Sequence, residues 1–112
     1  MEVTPVKLFI YETQEGRRPY SEWLEGLRDS KTRGIIRARL NRVRLGNFGD
    51  CKSVGEGVFE FRIDLGPGFR IYFGKEGQDI VLLLCGGTKR TQVSDIELAK
   101  DYWRDYRSRD DD

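Results

Sequence analysis

Two short segments of strictly alternating polarity, separated by five residues, constrain this chain more than any other feature. In Val58-Phe59-Glu60-Phe61-Arg62-Ile63 and Phe69-Arg70-Ile71-Tyr72-Phe73, apolar residues alternate with Glu60, Arg62, Arg70 and Tyr72, the period of two of a half-buried strand. The connection Asp64-Leu65-Gly66-Pro67-Gly68 carries the glycines and proline of a tight turn, so the pair reads as a β-hairpin. The simplest antiparallel register sets Arg62 opposite Arg70 and Glu60 opposite Tyr72, all on one polar face. Like charges directly opposite destabilise a sheet by a few tenths to about 1 kcal/mol. Two arrangements offset that cost: an anion held between the two guanidinium forks, or a carboxylate for each arginine, with Glu60 the nearest.

The rest of the chain surrounds that hairpin with helices. Val3 to Glu12 holds Val6, Leu8 and Ile10 in alternation and predicts a first strand. Pro19 opens a short helix in which Tyr20, Trp23, Leu24 and Leu27 recur at helical spacing. A second helix is expected from about Thr32 to Leu45, with Ile36, Leu40 and Val43 as its apolar stripe, ended by Gly46-Asn47-Phe48-Gly49-Asp50. The unbroken apolar run Ile80 to Cys85 predicts a central strand buried on both faces. Gly86-Gly87-Thr88-Lys89-Arg90 then leaves that strand, and Ser94 with Glu97 has the spacing of a capping box for a last helix. Ile96, Ala99, Trp103 and Tyr106 would line the core side of that helix. The predicted order is strand, two helices, three strands, helix, an α+β domain with helices packed on a small, largely antiparallel sheet.

At 112 residues the chain is expected to form one domain, with 107–112 as a flexible acidic tail ending in Asp110-Asp111-Asp112. Its longest apolar run is too short to span a bilayer, and its first residues lack a basic-then-apolar export signal, so a cytoplasmic location with no membrane partner is expected. Cys51 and Cys85 read as a reduced pair rather than a disulfide. The chain has no histidine, which removes serine–histidine and cysteine–histidine catalysis and the usual zinc ligand. No ligand spacing suggests a metal, and no cofactor is expected. The glycine pairs Gly55-Glu56-Gly57 and Gly66-Pro67-Gly68 flank hairpin strands and read as turns, not as nucleotide-binding loops.

Charge is near balance overall, at +1, but not locally. From Arg28 to Lys52 eight basic residues (Arg28, Lys31, Arg33, Arg37, Arg39, Arg42, Arg44, Lys52) face two acidic ones, Asp29 and Asp50. Such a stretch suits either a polyanion or a solvated helix face. For binding RNA the candidates are Arg33, Arg37, Arg39, Arg42, Arg44 and Lys52. The candidate reactive set is Glu60, Arg62, Arg70, Lys89 and Arg90. Cleaving RNA through its own 2′-hydroxyl needs a proton acceptor, cations for the phosphate and support for the leaving oxygen. Glu60 suits the first role, Arg62 and Arg70 the second, and Lys89 or Arg90 the third, without a metal.

The stretch from Leu45 to Ile63, the segment Gly66-Pro67-Gly68-Phe69-Arg70-Ile71-Tyr72-Phe73, and Leu84-Cys85-Gly86-Gly87-Thr88-Lys89-Arg90-Thr91-Gln92 resemble the RelE/ParE superfamily of bacterial toxins, and within it the HigB-like addiction-module killer proteins. The resemblance covers nearly the whole chain. It implies a microbial-ribonuclease-like fold and a type II toxin neutralised by a cognate antitoxin, a helix-turn-helix, HigA-like protein through which alone operator DNA would be contacted. It also implies a ribosome-dependent mRNA endoribonuclease. Matched by position, Arg70, Arg62, Glu60 and Arg90 fall on active-site positions. Two features depart from the family pattern. The tyrosine or histidine that some members carry near the C-terminus has no counterpart, and Thr88 stands where a Gly-Gly-Asp-Lys pattern has aspartate. ParE-like members bind DNA gyrase without catalysis, so a non-catalytic binder, or a phage-derived interaction protein without toxicity, are the alternative readings.

Overall fold

A computed structural model describes residues 4–109. The elements run β1 (Lys7–Ile10), α1 (Pro19–Gly26), α2 (Ser30–Arg44), β2 (Cys51–Gly55), β3 (Val58–Ile63), β4 (Phe69–Glu76), β5 (Ile80–Thr88), a 3₁₀ turn (Lys89–Thr91) and α3 (Gln92–Arg109). The α+β class is as expected, with one strand more than the sequence pattern indicated. The five strands form a single sheet in the order β1-β5-β4-β3-β2, antiparallel except for the parallel pair β1–β5.

The additional strand, β2, lies at the sheet edge, where Lys52 and Ser53 are exposed and its pairing with β3 is bulged beyond Ser53. β1 is shorter than the alternation suggested, and Met1 to Val3 lie outside the described residues. β5 runs inside the sheet as expected but continues through Gly86 and Gly87 to Thr88. α2 begins earlier than predicted because Asp29 caps it, its Oδ1 accepting from the Lys31 amide at 3.0 Å.

Alternation along β3 and β4 splits the core into two layers. On one face Phe61, Ile63, Phe69, Ile71 and Phe73 pack with Tyr20, Leu24, Ile36, Leu40 and Val43 of α1 and α2. On the other, Val58, Tyr72, Leu82 and Leu84 pack with Ala99 and Trp103 of α3. The hairpin's polar face is therefore largely roofed by a helix, not open to solvent.

α3 also corrects two boundaries. Its first turn grows out of the 3₁₀ turn, where Thr88 and Thr91 form the reciprocal cap; Ser94 lies inside the helix and donates to the Thr91 carbonyl at 3.1 Å. At the other end the helix continues through Arg109, so 107–109 are not a tail. Arg109 is held there by the Glu12 carbonyl (3.0 Å) and by Asp105, and Asp105 also accepts from Tyr11 and from Gln14. Residues 110–112 lie outside the described part.

Candidate functional site

The β3–β4 hairpin has the expected register: Arg62 faces Arg70 and Glu60 faces Tyr72. The adjoining ladders extend each pair into a row across the sheet. One row reads Lys52, Glu60, Tyr72, Cys85; the next reads Arg62, Arg70, Gly87. Asp50 extends the second row, its carbonyl accepting from the Arg62 amide at 3.0 Å.

Both arginines have carboxylate partners. Arg62 binds Asp50 Oδ1 through Nε (3.2 Å) and Nη2 (3.0 Å), a pair about half exposed and so of small net energy. Arg70 is different. Its Nε lies 3.9 Å from Glu60 Oε1, with the arginine side chain 11% exposed and the glutamate fully buried, and its Nη1 donates to the Phe69 carbonyl at 3.0 Å. Asp50, Arg62, Asp64 and Arg70 line an open depression of about 280 Å³.

Glu60 does not stand at that surface. The expected proton acceptor is enclosed beneath the first residue of α3, where Gln92 Nε2 donates to its Oε2 at 2.7 Å. Beside it the Tyr72 hydroxyl is pushed well above the ordinary tyrosine range, first by burial and then by the charge of Glu60. Gln92 went unassigned in the sequence because a glutamine opening a helix carries no signal of its own. Asp50 counted there only as one acid in a basic stretch.

The loop after β5 joins the same site. The Lys89 amide donates to the Gly68 carbonyl at 2.8 Å, tying the 3₁₀ turn to the hairpin connection. A Cβ at Gly68 would lie 3.5 Å from both Arg70 Nη1 and Lys89 Cβ, so lysine and arginine flank one glycine. Lys89 and Arg90 are both exposed on this turn. Gly87 lets α3 settle over the row: a Cβ there would overlap the Asp95 carboxylate, which accepts from Thr91 Oγ1.

The basic helix is divided by the fold. Arg39 is not available to RNA: it is buried, and its Nη1 donates to the Arg62 carbonyl (2.8 Å) while Nη2 donates to those of Phe48 (3.0 Å) and Asp50 (2.9 Å). Its guanidinium also lies over the Phe61 ring, 5.6 Å from the centroid, and burial lowers its pKa. The interior of a basic stretch thus serves as a clamp on the 48–50 loop. Arg33 is half-buried and donates to the Leu27 carbonyl in the link between the first two helices. Arg37 and Arg44 rim an apolar groove with Leu8, Ile10, Tyr20, Leu24 and Leu40, on the sheet face opposite Glu60. Arg42 is exposed. Of the six residues expected to bind RNA, only Lys52 shares a row with the candidate reactive set, so the sequence-predicted residues form two separate groups.

A protein of Haemophilus influenzae (strain ATCC 51907 / DSM 11121 / KW20 / Rd), described only as uncharacterized, is 47% identical to this chain over 81 residues, 72% of this chain and 82% of the relative. The two belong to one family. No family model matches the chain. Among the described residues of this family member, no helix is long and apolar enough to cross a membrane.

Proposed function

We propose that this protein is the toxin of a type II toxin–antitoxin module, a cytoplasmic endoribonuclease that cuts mRNA on the ribosome without a metal. The observation that carries the reading is the cationic cluster: Arg62 and Arg70 side by side across β3–β4, with the Lys89 backbone hydrogen-bonded to the turn that joins those strands. Guanidinium forks match phosphate oxygens, and fixed cations at a site of developing charge lower the barrier to phosphoryl transfer. The likeness of the Gly66–Phe73 and Leu84–Gln92 segments to RelE-like toxins supports the same assignment. In this reading Arg62 and Arg70 hold the scissile phosphate, and Lys89 or Arg90 supports the leaving oxygen. Asp50 is committed to Arg62, whereas Asp64, exposed in the same depression, is the carboxylate this reading offers, besides Glu60, as acceptor for the 2′-hydroxyl proton. Partners are the ribosome with its mRNA and a helix-turn-helix antitoxin.

The test is expression in cells lacking antitoxin, with primer extension on translated mRNA. Wild type is expected to stop growth and leave cleavage ends on ribosome-bound messages. Arg62→Ala removes one phosphate ligand and only an exposed ion pair, so it should lower cleavage at least tenfold while the melting temperature moves by no more than about 2 °C. Growth arrest with intact mRNA and inhibited DNA gyrase would replace this reading with the gyrase-binding one.

A further inference from the structure

We infer that Glu60 is a positioning residue for Arg70, a buried carboxylate braced by Gln92 that fixes the Nε edge of the guanidinium and turns its Nη nitrogens toward the hairpin turn. The inference rests on the toxin reading only for what Arg70 binds; the positioning itself follows from the burial.

Glu60 is 0% exposed. Removing a carboxylate from water costs several kcal/mol unless charge and hydrogen bonds compensate, and apolar replacements of such groups are often neutral or stabilising. Packing therefore gives no reason for a charge here, and Gln92 needs only an acceptor, which an amide oxygen would supply equally well. The negative charge is required only by a cation. Arg70 is that cation: its Nε and Glu60 Oε1 are both buried, neither makes a hydrogen bond, and they stand 3.9 Å apart as an ion pair, whereas the Tyr72 hydroxyl, opposite Glu60 on β4, is neutral and requires no charge. Lys52, the other basic neighbour in the row, is exposed at the sheet edge.

Arg70 needs such a partner. Arg62 stands directly opposite it, and a free arginine would swing away from that charge with the full rotamer freedom of its side chain. The Phe69 carbonyl holds Nη1 and Glu60 faces Nε, so the guanidinium is held at two corners beside Gly68 and Lys89. Gln92, as the first residue of α3, links the orientation of this arginine to the seating of that helix.

The test uses the full chain and the variants Glu60→Gln and Gln92→Ala, with two readouts. In ¹⁵N NMR, the Arg70 Nε–H signal, assigned by its loss in Arg70→Lys, should exchange with water at least tenfold faster in Glu60→Gln than in wild type. In titrations with a 2′-O-methyl RNA oligonucleotide, which cannot be cut, Glu60→Gln should weaken binding about tenfold in the wild-type background but less than twofold in the Arg70→Lys background, the non-additivity of a coupled pair. Should Glu60→Gln fail to fold, Gln92→Ala, which removes the brace but keeps the charge, is expected to speed the Nε–H exchange in the same direction. Unchanged exchange, or an equal binding loss in both backgrounds, would overturn the inference. Failure of wild type to cut mRNA would count against the toxin reading alone and leave the NMR result decisive for Glu60.

Discussion

Replacing Arg39 by methionine separates a structural arginine from RNA-binding ones. The change keeps an unbranched side chain against Phe61 and deletes the guanidinium, leaving the carbonyls of Arg62, Phe48 and Asp50 without their shared donor. Hydrogen bonds from a charged donor contribute about 1.5–3 kcal/mol each, and the ring contact adds about 0.5–1 kcal/mol. Against this stands the cost of burying the cation, of several kcal/mol, and the exposure of Asp50 allows part of the freed backbone to hydrate. The net loss is expected at about 3 kcal/mol, which for a domain of this size is roughly 12 °C in melting temperature. Circular dichroism melts and urea titrations of Arg39→Met beside Arg42→Met check it, since the exposed Arg42 should change stability by no more than about 0.5 kcal/mol. A second consequence concerns RNA. If α2 contributes phosphate contacts, Arg42→Met should lower the steepness of affinity against salt by roughly one unit, and Arg39→Met should not. Equal melting temperatures for the two variants, with equal losses of salt dependence, would refute the clamp.

Two further outcomes follow from packing and from proton linkage. Gly74 supports the Trp103 indole so closely that a Cβ would overlap the ring, and Trp103 is itself buried; Gly74→Ala should therefore cost about 2–3 kcal/mol, whereas Gly34→Ala in α2, with open space around its Cβ position, should stabilise by about 0.5–1 kcal/mol, both read from urea midpoints. Burial raises the pKa of Tyr11, Tyr20, Tyr72 and Cys85, the last to about 12 and Tyr20 to about 12. Each group is neutral in the fold and ionises more easily in the unfolded chain, near pH 8.5 for cysteine and 10 for tyrosine, so this stability is complete below those values and lost as pH rises. Near pH 11 unfolding should release between about three and four protons from these groups, and tyrosinate absorbance from the three tyrosines should appear together with loss of ellipticity; half-ionisation of these tyrosines near pH 10 in a chain that keeps its ellipticity would contradict it.

What the sequence disclosed and what it concealed differ by the kind of information alternation carries. Period two and a glycine–proline–glycine connection were enough to pair Arg62 with Arg70 and Glu60 with Tyr72 residue for residue, because a slip of one would have put Phe61 and Ile71 in water. The edge strand Cys51–Gly55 was concealed, since a short segment with two exposed polar residues and a terminal glycine has no periodic signature. Arg39 was concealed among exposed arginines because its clamp depends on three carbonyls brought to it by a loop.

The burial of Glu60 was concealed for a deeper reason. Alternation reports which side chains share a face, not whether a helix later covers that face, and a row of Glu, Arg and Tyr suggests solvent to any reading based on polarity. A different signal was present. Gly74 on β4 and Gly87 on β5 leave that face without a side chain, and each meets a side chain of α3, the Trp103 ring in one case and the Asp95 carboxylate in the other. Glycine weakens a strand unless something approaches its backbone closely. Two such glycines on the same face as Glu60 imply an element pressed against that face, and the only long helical segment left for the task follows β5 directly. On that argument Glu60 belongs under the α3 N-terminus, where its carboxylate accepts from Gln92 and lies beside Arg70.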